Sequence, residues 1–528
     1  MNNIRKTARS LKWPIACACS IAALKITFIL SEPLRSLVMS PWLIDDSFIV
    51  MRVARNIALG KGFSFDGMNP TTGVSFLWTY VTAISHSVFS KEFAVKATLM
   101  LSTVLGACSS IVVYSITKRL SEHSQASWLA FAIISLLPVP FFNAMNGMET
   151  AAVTLFMLSA IACLPQLYSN DSPPTFVSGI SCGILLGLAV LTRSDAIFFV
   201  ASMLLFCLVQ AVRSGHQKYD YFRQGVGIVL ALGVAASILI TWQVLQTGSV
   251  FPDNQIGRHI IAVDKHNFDV SHVSLVSYIR IVIWNTFEMY ALVSLSFTSG
   301  LLAIIALLYG FGQKNLRPLA VITGMYLAMY CTVLIAYQWY FPDYHGLRYL
   351  NPGIHLLVIL IACLLCSLRF DTFTTRALIA ITCSMMAISW YAYFDYGRQP
   401  KWAEGMTLFG SRSSEDENKF WAGIDWVQTH LPENTVIGVR DHGRFSLFTD
   451  RPVLDLAGIL DPMVVRQWKA GNIGKYVRER DVSYFVLPPP QTKGTNIYQS
   501  LHNSLTLSEV KECPAFDMSG TFRLYKIH

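Results

Sequence analysis

Charged residues are scarce in this chain of 528 residues: Asp, Glu, Lys and Arg together make up 14%, against 53% hydrophobic residues. The mean hydropathy of +0.45 lies outside the range of ordinary soluble domains. A helix needs about 20 apolar residues to cross the hydrocarbon layer, and the chain supplies such stretches repeatedly. The sequence therefore predicts an α-helical polytopic membrane protein.

Several signatures of soluble enzymes are absent from the sequence. There is no GxxxxGK[ST] phosphate loop, so ATP-driven chemistry is not expected. Ten of the eleven cysteines lie in apolar stretches, including the pair Cys363 and Cys366, so we expect neither a disulfide framework nor a CxxC metal site. The net charge of +9 comes from short clusters between apolar stretches. It does not indicate nucleic-acid binding.

About eleven membrane spans are predicted from the apolar stretches. The first is interpreted as a membrane helix and not as a cleavable signal peptide, because no small-x-small cleavage site follows it. The apolar segment 73–89 is interpreted as a helix lying in the outer membrane interface. The spans are placed at residues 13–30, 95–116, 126–142, 149–165, 176–192, 195–212, 225–245, 285–311, 318–338, 352–368 and 375–394.

The basic clusters between these spans predict the orientation, since short cytoplasmic loops hold an excess of Lys and Arg. With 73–89 left out of the count, four clusters fall on the side of the N-terminus and the C-terminus falls outside. The clusters are Lys118-Arg119, Arg213/Lys218/Arg223, Lys314/Arg317 and Arg369/Arg376.

A change in composition near residue 396 predicts two domains. Residues 1–395 form the membrane domain, with a first outer loop at 31–94 that carries interfacial helices. From residue 396, charges and prolines appear, and apolar residues occur in strand-length runs at Val436–Val439 and Val482–Leu487. Residues 396–528 are therefore predicted to be a small soluble α/β domain on the outer side.

Five polar patches fall at the outer ends of the predicted spans, and charged groups that gather at a membrane edge usually outline a polar cavity. In the first patch, a helical spacing puts Asp45, Arg52 and Asn56 on one face. A carboxylate there could take a proton from a hydroxyl, or it could simply cap its helix. The patches are Asp45-Asp46, Asn146 to Glu149, Arg193 to Asp195, Phe251 to Asn254, and His345 to Tyr349.

Two segments of the C-terminal domain are also rich in polar groups, Asp441 to Arg444 and Asp455 to Gly458. No nucleophile accompanies either segment at a telling spacing. We interpret them as turn and domain-packing elements, with acceptor binding as the alternative.

The order of the motifs resembles a known class of enzymes. DDSFI, RxARN, GxGF, TTGVSFLW, NGMETA, LTRSDAIF, FPDN and GLRYLNP follow one another over residues 40–360, and RPVLDLAGILDP follows at Arg451 to Pro462. The pattern resembles the bacterial GT-C membrane glycosyltransferases that use polyprenyl-phosphate sugars. Within this class it is similar to the mycobacterial terminal arabinofuranosyltransferase and to the enzyme that adds arabinofuranose to type IV pilins. Ser194 and Asp253 depart from the motifs of these relatives.

The resemblance implies an inverting transfer from a polyprenyl-phosphate sugar, such as a pentofuranose, to a hydroxyl of a periplasmic protein or glycan. It places the chain in the bacterial inner membrane. Asp45 or Asp46 is then the base, with Asp46 preferred, and an arginine opposes the departing phosphate. Arg348 is the first choice, followed by Arg258, Arg193 and His345. The remaining substrate-binding candidates are Arg52, Arg55, Asn56, Thr72, Trp78, Glu149, Asp195, Asn254 and Tyr349.

A divalent metal could bind Asp45, Asp46 and Glu149, but we expect no metal or other cofactor to be required. A structural alternative also exists for the arginines, because Arg193 could simply pair with Asp195. The rival functions are a lipid-linked-sugar transporter and a structural membrane protein. Transporters usually place polar groups near the membrane midplane in repeated halves, whereas here they lie at one end of the spans. The oligomeric state is left open.

Overall fold

A computed structural model describes residues 2–40, 42–168, 173–213, 217–257, 297–336, 348–368, 414–440, 443–487, 497–516 and 523–528. The chain forms two compact units. The first comprises Met1–Ile29, Leu99–Ile238 and Asp269–Tyr396, and the second comprises Leu30–Thr98, Leu239–Phe268 and Gly397–His528. The predicted domain boundary at 395 lies outside the described residues and stays a prediction.

Helices dominate the described residues up to 368. They are α1 (Asn2–Ser31), α2 (Leu34–Val38), α3 (Asp45–Ala58), α4 (Phe76–Val88), α5 (Lys91–Leu120), α6 (Ser124–Leu136), α7 (Pro138–Asn143), α8 (Thr150–Ala162), α9 (Phe176–Thr192), α10 (Ile197–Arg213), α11 (Lys218–Thr247), α12 (Phe297–Gly312), α13 (Arg317–Ala336) and α14 (Asn351–Ser367).

Within the described residues, five helical stretches are long and apolar enough to cross a membrane. They are Leu11–Ser31, Lys91–Leu120, Ser194–Arg213, Lys218–Thr247 and Arg348–Ser367. Most other predicted spans coincide with shorter helices, but the predicted span 375–394 and the first part of 285–311 lie outside the described residues. The number of eleven spans therefore stays a prediction.

Helix α4 corresponds to the segment predicted to lie in the outer interface. It has 13 residues, which at 1.5 Å per residue makes a helix of about 20 Å, shorter than a hydrocarbon core of about 30 Å. The interfacial position itself stays a prediction.

Small residues let α9 and α11 approach closely in the first unit. Gly179, Gly183 and Gly187 recur at every fourth position of α9 and lie against α11. A Cβ atom added at Gly183 would lie 2.7 Å from the Ile228 carbonyl oxygen. Such small-xxx-small stripes let two helix backbones pack together without side chains between them.

The C-terminal part of the second unit is a small α/β domain, as predicted. Its five-stranded sheet has the order β2-β1-β3-β5-β4. The pairs β1–β2 and β1–β3 are parallel, whereas β5 is antiparallel to β3 and β4. The elements are α15 (Ser414–His430), β1 (Val436–Val439), α16 (Gly443–Thr449), β2 (Val453–Asp455), α17 (Pro462–Lys469), α18 (Ile473–Glu479), β3 (Val482–Leu487), α19 (Ile497–Ser504), β4 (Leu507–Glu509) and β5 (Arg523–Ile527).

Candidate functional site

The carboxylate of Asp45, the first residue of α3, is bound by the C-terminal domain. It accepts hydrogen bonds from the backbone N–H groups of Gly443 at 2.7 Å and Arg444 at 2.9 Å. These residues begin α16, and the free amides at a helix N-terminus favour a negative charge. The N-cap of α3 itself is Ile44. Asp45 therefore caps a distant helix and not its own.

Asp46 occupies the next position of α3. Successive side chains of an α-helix are rotated by about 100° around its axis, so Asp46 leaves α3 on a different face from Asp45. The two carboxylates that look equivalent in the sequence therefore leave α3 in different directions.

Arg52 and Asn56 lie about two and three turns further along α3 and bind the loop that follows it. Arg52 donates from Nε to the Phe65 carbonyl at 3.3 Å. Asn56 donates from Nδ2 to the carbonyls of Ser64 at 2.8 Å and Phe65 at 3.0 Å. Burial, together with the neighbouring charge of Arg55, lowers the pKa of Arg52 to about 10. Both side chains shape the loop, and substrate binding by them stays a prediction.

The threonine motif and the FPDN motif meet in the second unit. Asp253 Oδ2 accepts hydrogen bonds from the Thr72 amide at 2.7 Å and from the Thr71 hydroxyl at 3.2 Å. The Asp253 amide donates to Thr72 Oγ1 at 3.0 Å. Asp253, which departs from the motif of the relatives, therefore links the loop between α3 and α4 to the segment after α11.

The other candidates of the second unit have varied surroundings. Arg55 pairs with Asp450, and Trp78 is almost fully buried in α4. The Oδ1 atom of Asn254 is buried and has no hydrogen-bond partner within the described part of the chain. A buried acceptor without a partner is costly, so Asn254 is a good candidate for a ligand contact.

A second polar cluster lies in the first unit, where α9 ends and α10 begins. Arg193 donates from Nε to Asp195 at 2.8 Å, and Tyr330 of α13 donates its hydroxyl to the same carboxylate at 2.6 Å. Glu149 lies 4.0 Å from Arg193. The pairing of Arg193 with Asp195, foreseen as the structural alternative, is thus present.

Arg348 and Tyr349 belong to the same cluster. The guanidinium carbons of Arg193 and Arg348 lie 4.5 and 4.9 Å from the centroid of the Tyr349 ring. Arg348 donates to the Tyr349 hydroxyl at 3.1 Å, and both arginines lie within electrostatic range of Glu149. Two buried guanidinium groups therefore converge on one aromatic ring, an arrangement suited to an anion.

Some candidates cannot be placed. Arg258 and His345, like Asp441 and His442, lie outside the described residues. Across the part that is described, no group of three or more His, Cys, Asp or Glu side chains lies together. That no metal is required stays a prediction.

The sequence interpretation missed Tyr330, which binds Asp195. It also missed Asp450, which pairs with both Arg55 and Lys91. Tyr330 lies inside an apolar span, and Asp450 and Lys91 carry no motif. Their only sequence signal is polarity within or beside an apolar stretch, which is weak without contact information. The Asp455 carboxylate closes a local turn by accepting from the amides of Ala457 and Leu460, in line with its interpretation as a turn element.

Two family models match parts of the chain. Residues 74–241 match the family described as dolichyl-phosphate-mannose-protein mannosyltransferase, and residues 413–523 match a domain of unknown function, DUF8728. No curated protein sequence matches the chain.

The fold of the chain is shared with two solved structures. The chain is similar to ArnT from Cupriavidus metallidurans bound to undecaprenyl phosphate, with a TM-score of 0.59 and 13% identity over 97% of each chain. It is also similar to the oligosaccharyltransferase of Archaeoglobus fulgidus tethered to an acceptor peptide, with a TM-score of 0.53 and 11% identity over 89% of this chain and 69% of that one. At these identities the similarity shows the fold alone.

Proposed function

We propose that the chain is an inverting glycosyltransferase that moves a sugar from a polyprenyl-phosphate donor to an acceptor hydroxyl. The observation that carries this proposal is the convergence of Arg193 and Arg348 on Tyr349. The fold adds support, because ArnT, which is similar over nearly the whole chain, was solved with undecaprenyl phosphate.

The two arginines suit a lipid-linked phosphate. Negative charge grows on the phosphate as its bond to the sugar breaks, and a fixed cation lowers the energy of that transition state. Arg193 uses Nε for Asp195, while its Nη1 is buried without a hydrogen-bond partner among the described residues. Arg348 is 5% exposed and supplies a second planar fork for phosphate oxygens. We assign phosphate binding to this pair, with Glu149 and Asp195 holding its orientation.

We assign the general base to Asp46. Both carboxylate oxygens of Asp45 accept hydrogen bonds from backbone amides of α16, so we assign Asp45 to the junction with the C-terminal domain. In the proposed step, Asp46 takes the proton of the acceptor hydroxyl. The acceptor oxygen forms a bond to the anomeric carbon while the bond from that carbon to the phosphate oxygen breaks. The polyprenyl phosphate leaves with the bonding electrons, and the configuration inverts.

The finer details of the proposal follow from the sequence resemblance. The sugar is a pentofuranose such as arabinofuranose, and the acceptor is a pilin, another periplasmic protein or a cell-surface glycan. The protein is a multi-pass protein of the bacterial inner membrane with its active site and C-terminal domain in the periplasm. No metal is required.

Reconstituted protein tests the proposal against the transporter alternative. Purified full-length protein in liposomes receives radiolabelled polyprenyl-phosphate arabinofuranose, with the periplasmic fraction of a strain lacking the protein as acceptor. We expect the label to move from the lipid to the acceptor fraction and free polyprenyl phosphate to form. Label that crosses the bilayer while still bound to its lipid, with no transfer, would contradict the proposal and favour a transporter.

A further inference from the structure

One face of α3 is bound along its whole length by the segment Gly443–Arg451 of the C-terminal domain. Asp45, Phe48, Arg52 and Arg55 follow one another at intervals of three or four residues, so they form a single stripe on the helix. Each of them contacts Gly443–Arg451.

The first half of the stripe contacts α16 at its N-terminus and through an aromatic pair. Asp45 accepts the amides of Gly443 and Arg444. The rings of Phe48 and Phe448 lie with centroids 6.1 Å apart. Arg444 also donates through Nε to the Val38 carbonyl at 2.9 Å. This hydrogen bond binds the end of α2, which precedes α3, to α16.

The second half of the stripe contacts the residues directly after α16. Arg52 donates from Nη2 to the Arg451 carbonyl at 3.0 Å. Asp450 pairs with Arg55 and, through its other oxygen, with Lys91 of α5 at 2.8 Å. Asp450 has a positive φ of 60°, which is uncommon outside glycine and persists where surrounding contacts impose it.

We propose that the C-terminal domain, through Gly443–Arg451, is a positioning element for Asp46, which α3 carries on a face outside this stripe. This role rests on the proposed function, because it assigns the domain to the orientation of the general base. Asp450 is the central positioning residue, since its one carboxylate binds the C-terminal end of α3 and the first residue of α5. The segment lies within residues 413–523, the region matched to a domain of unknown function.

A segment that positions Asp46 and a segment that only stabilises the fold predict different effects of a substitution. A displacement of about 1 Å at a reacting group can cost about 100-fold in rate, even if the protein remains folded. A purely structural contact would lower the amount of folded protein and leave the turnover of each folded molecule unchanged.

The test compares two changes of the same type in the full-length purified protein. Asp450→Asn removes the charge that binds Arg55 and Lys91, while asparagine tolerates a positive φ. Asp425→Asn is the matched control. It removes the exposed ion pair between Asp425 and Arg35, which also joins the C-terminal domain to the first outer loop but lies outside the α3 stripe.

We expect Asp450→Asn to speed hydrogen exchange across α3 and to lower kcat about 10- to 100-fold, with KM for the lipid donor within about twofold. Asp425→Asn should change neither the hydrogen exchange of α3 nor kcat. Phe448→Leu keeps every charge and should also lower kcat without changing KM, but by a smaller factor. It replaces Asp450→Asn in the test if that variant does not fold. A wild-type kcat for folded Asp450→Asn and Phe448→Leu would overturn the positioning role.

The exchange measurement separates this inference from the proposed function. If the wild-type protein transferred no sugar, the proposed function would be wrong, yet faster exchange of α3 in Asp450→Asn alone would still support the coupling of the domain to α3. Equal exchange in wild type, Asp450→Asn and Asp425→Asn would overturn that coupling.

Discussion

The Asp45 carboxylate accepts a hydrogen bond from the Gly443 amide at 2.7 Å, although the two residues are 398 positions apart in the sequence. The two segments lie very close together: a Cβ atom added at Gly443 would overlap the backbone carbonyl oxygen of Asp45 and lie 2.8 Å from Asp45 Oδ2. This contact gives Asp45 a different role from the one that we propose for Asp46. Asp45 joins two parts of the second unit, and we assign the proposed proton transfer to Asp46.

Gly443→Ala should weaken this junction. The added methyl group pushes Asp45 away from the amides of α16, and we expect a loss of about 1–3 kcal/mol, as for other overpacked sites. Thermal unfolding of the detergent-purified protein measures this. Gly225→Ala is the control, since a Cβ atom there meets nothing within 4 Å. Equal melting temperatures for the two variants would contradict the importance of the contact.

Gly183→Ala should separate α9 from α11. A Cβ atom at this position would lie 2.7 Å from the Ile228 carbonyl oxygen and 2.8 Å from Ala231 Cβ, so one helix must shift. We expect a lower melting temperature for Gly183→Ala. Gly233→Ala in α11, where a Cβ atom meets nothing within 4 Å, should be neutral or slightly stabilising because alanine favours the helix. If both variants melted like the wild type, the proposed close packing would be wrong.

Asp195→Asn should destabilise the first unit more than Tyr330→Phe. The asparagine leaves the buried Arg193 without its nearest counter-charge, which typically costs about 3–5 kcal/mol. The phenylalanine removes one hydrogen bond, worth about 0.5–1.5 kcal/mol. Melting temperatures of the two variants, measured side by side, check the order. The reverse order would show that Asp195 is not the main partner of Arg193.

The sequence predicted the features that depend on local pattern. Strands at Val436–Val439 and Val482–Leu487 are present with the same bounds, because a short apolar run beside polar turns is a local signal. The grouping of Glu149 with Arg193 and Arg348 was also accessible, since the loop charges placed all three at the same ends of the spans.

The remaining features depend on contacts between distant segments. Nothing near Asp45 indicates that its partner is an amide near the other end of the chain, and sequence reasoning could only offer its own helix as the site to cap. Asp450 looks like an ordinary turn residue until its two cationic partners are seen. Tyr330 is hidden within an apolar span, where its hydroxyl gives no periodic signal.

His86 of α4 should make the protein sensitive to acid. Burial, helped by the charge of Arg55, lowers the pKa of His86 to about 4, from an ordinary value of 6.5. As the pH falls from 6.5 towards 4, the unfolded chain takes up a proton that the folded protein does not, so stability is lost over that window. His86→Leu should flatten the melting temperature between pH 6.5 and 4 relative to wild type. Parallel curves for the two proteins would show that His86 does not titrate in this way.

The most direct measurement of the central claim is single-turnover sugar transfer by Asp46→Asn and Asp45→Asn beside the wild type, with binding of the polyprenyl-phosphate sugar measured in parallel. We expect Asp46→Asn to bind the donor normally and to lose at least about 100-fold in transfer, the smaller end of the usual contribution of a general base. Asp45→Asn should keep more activity and lose stability. Transfer at the wild-type rate by Asp46→Asn would contradict the account.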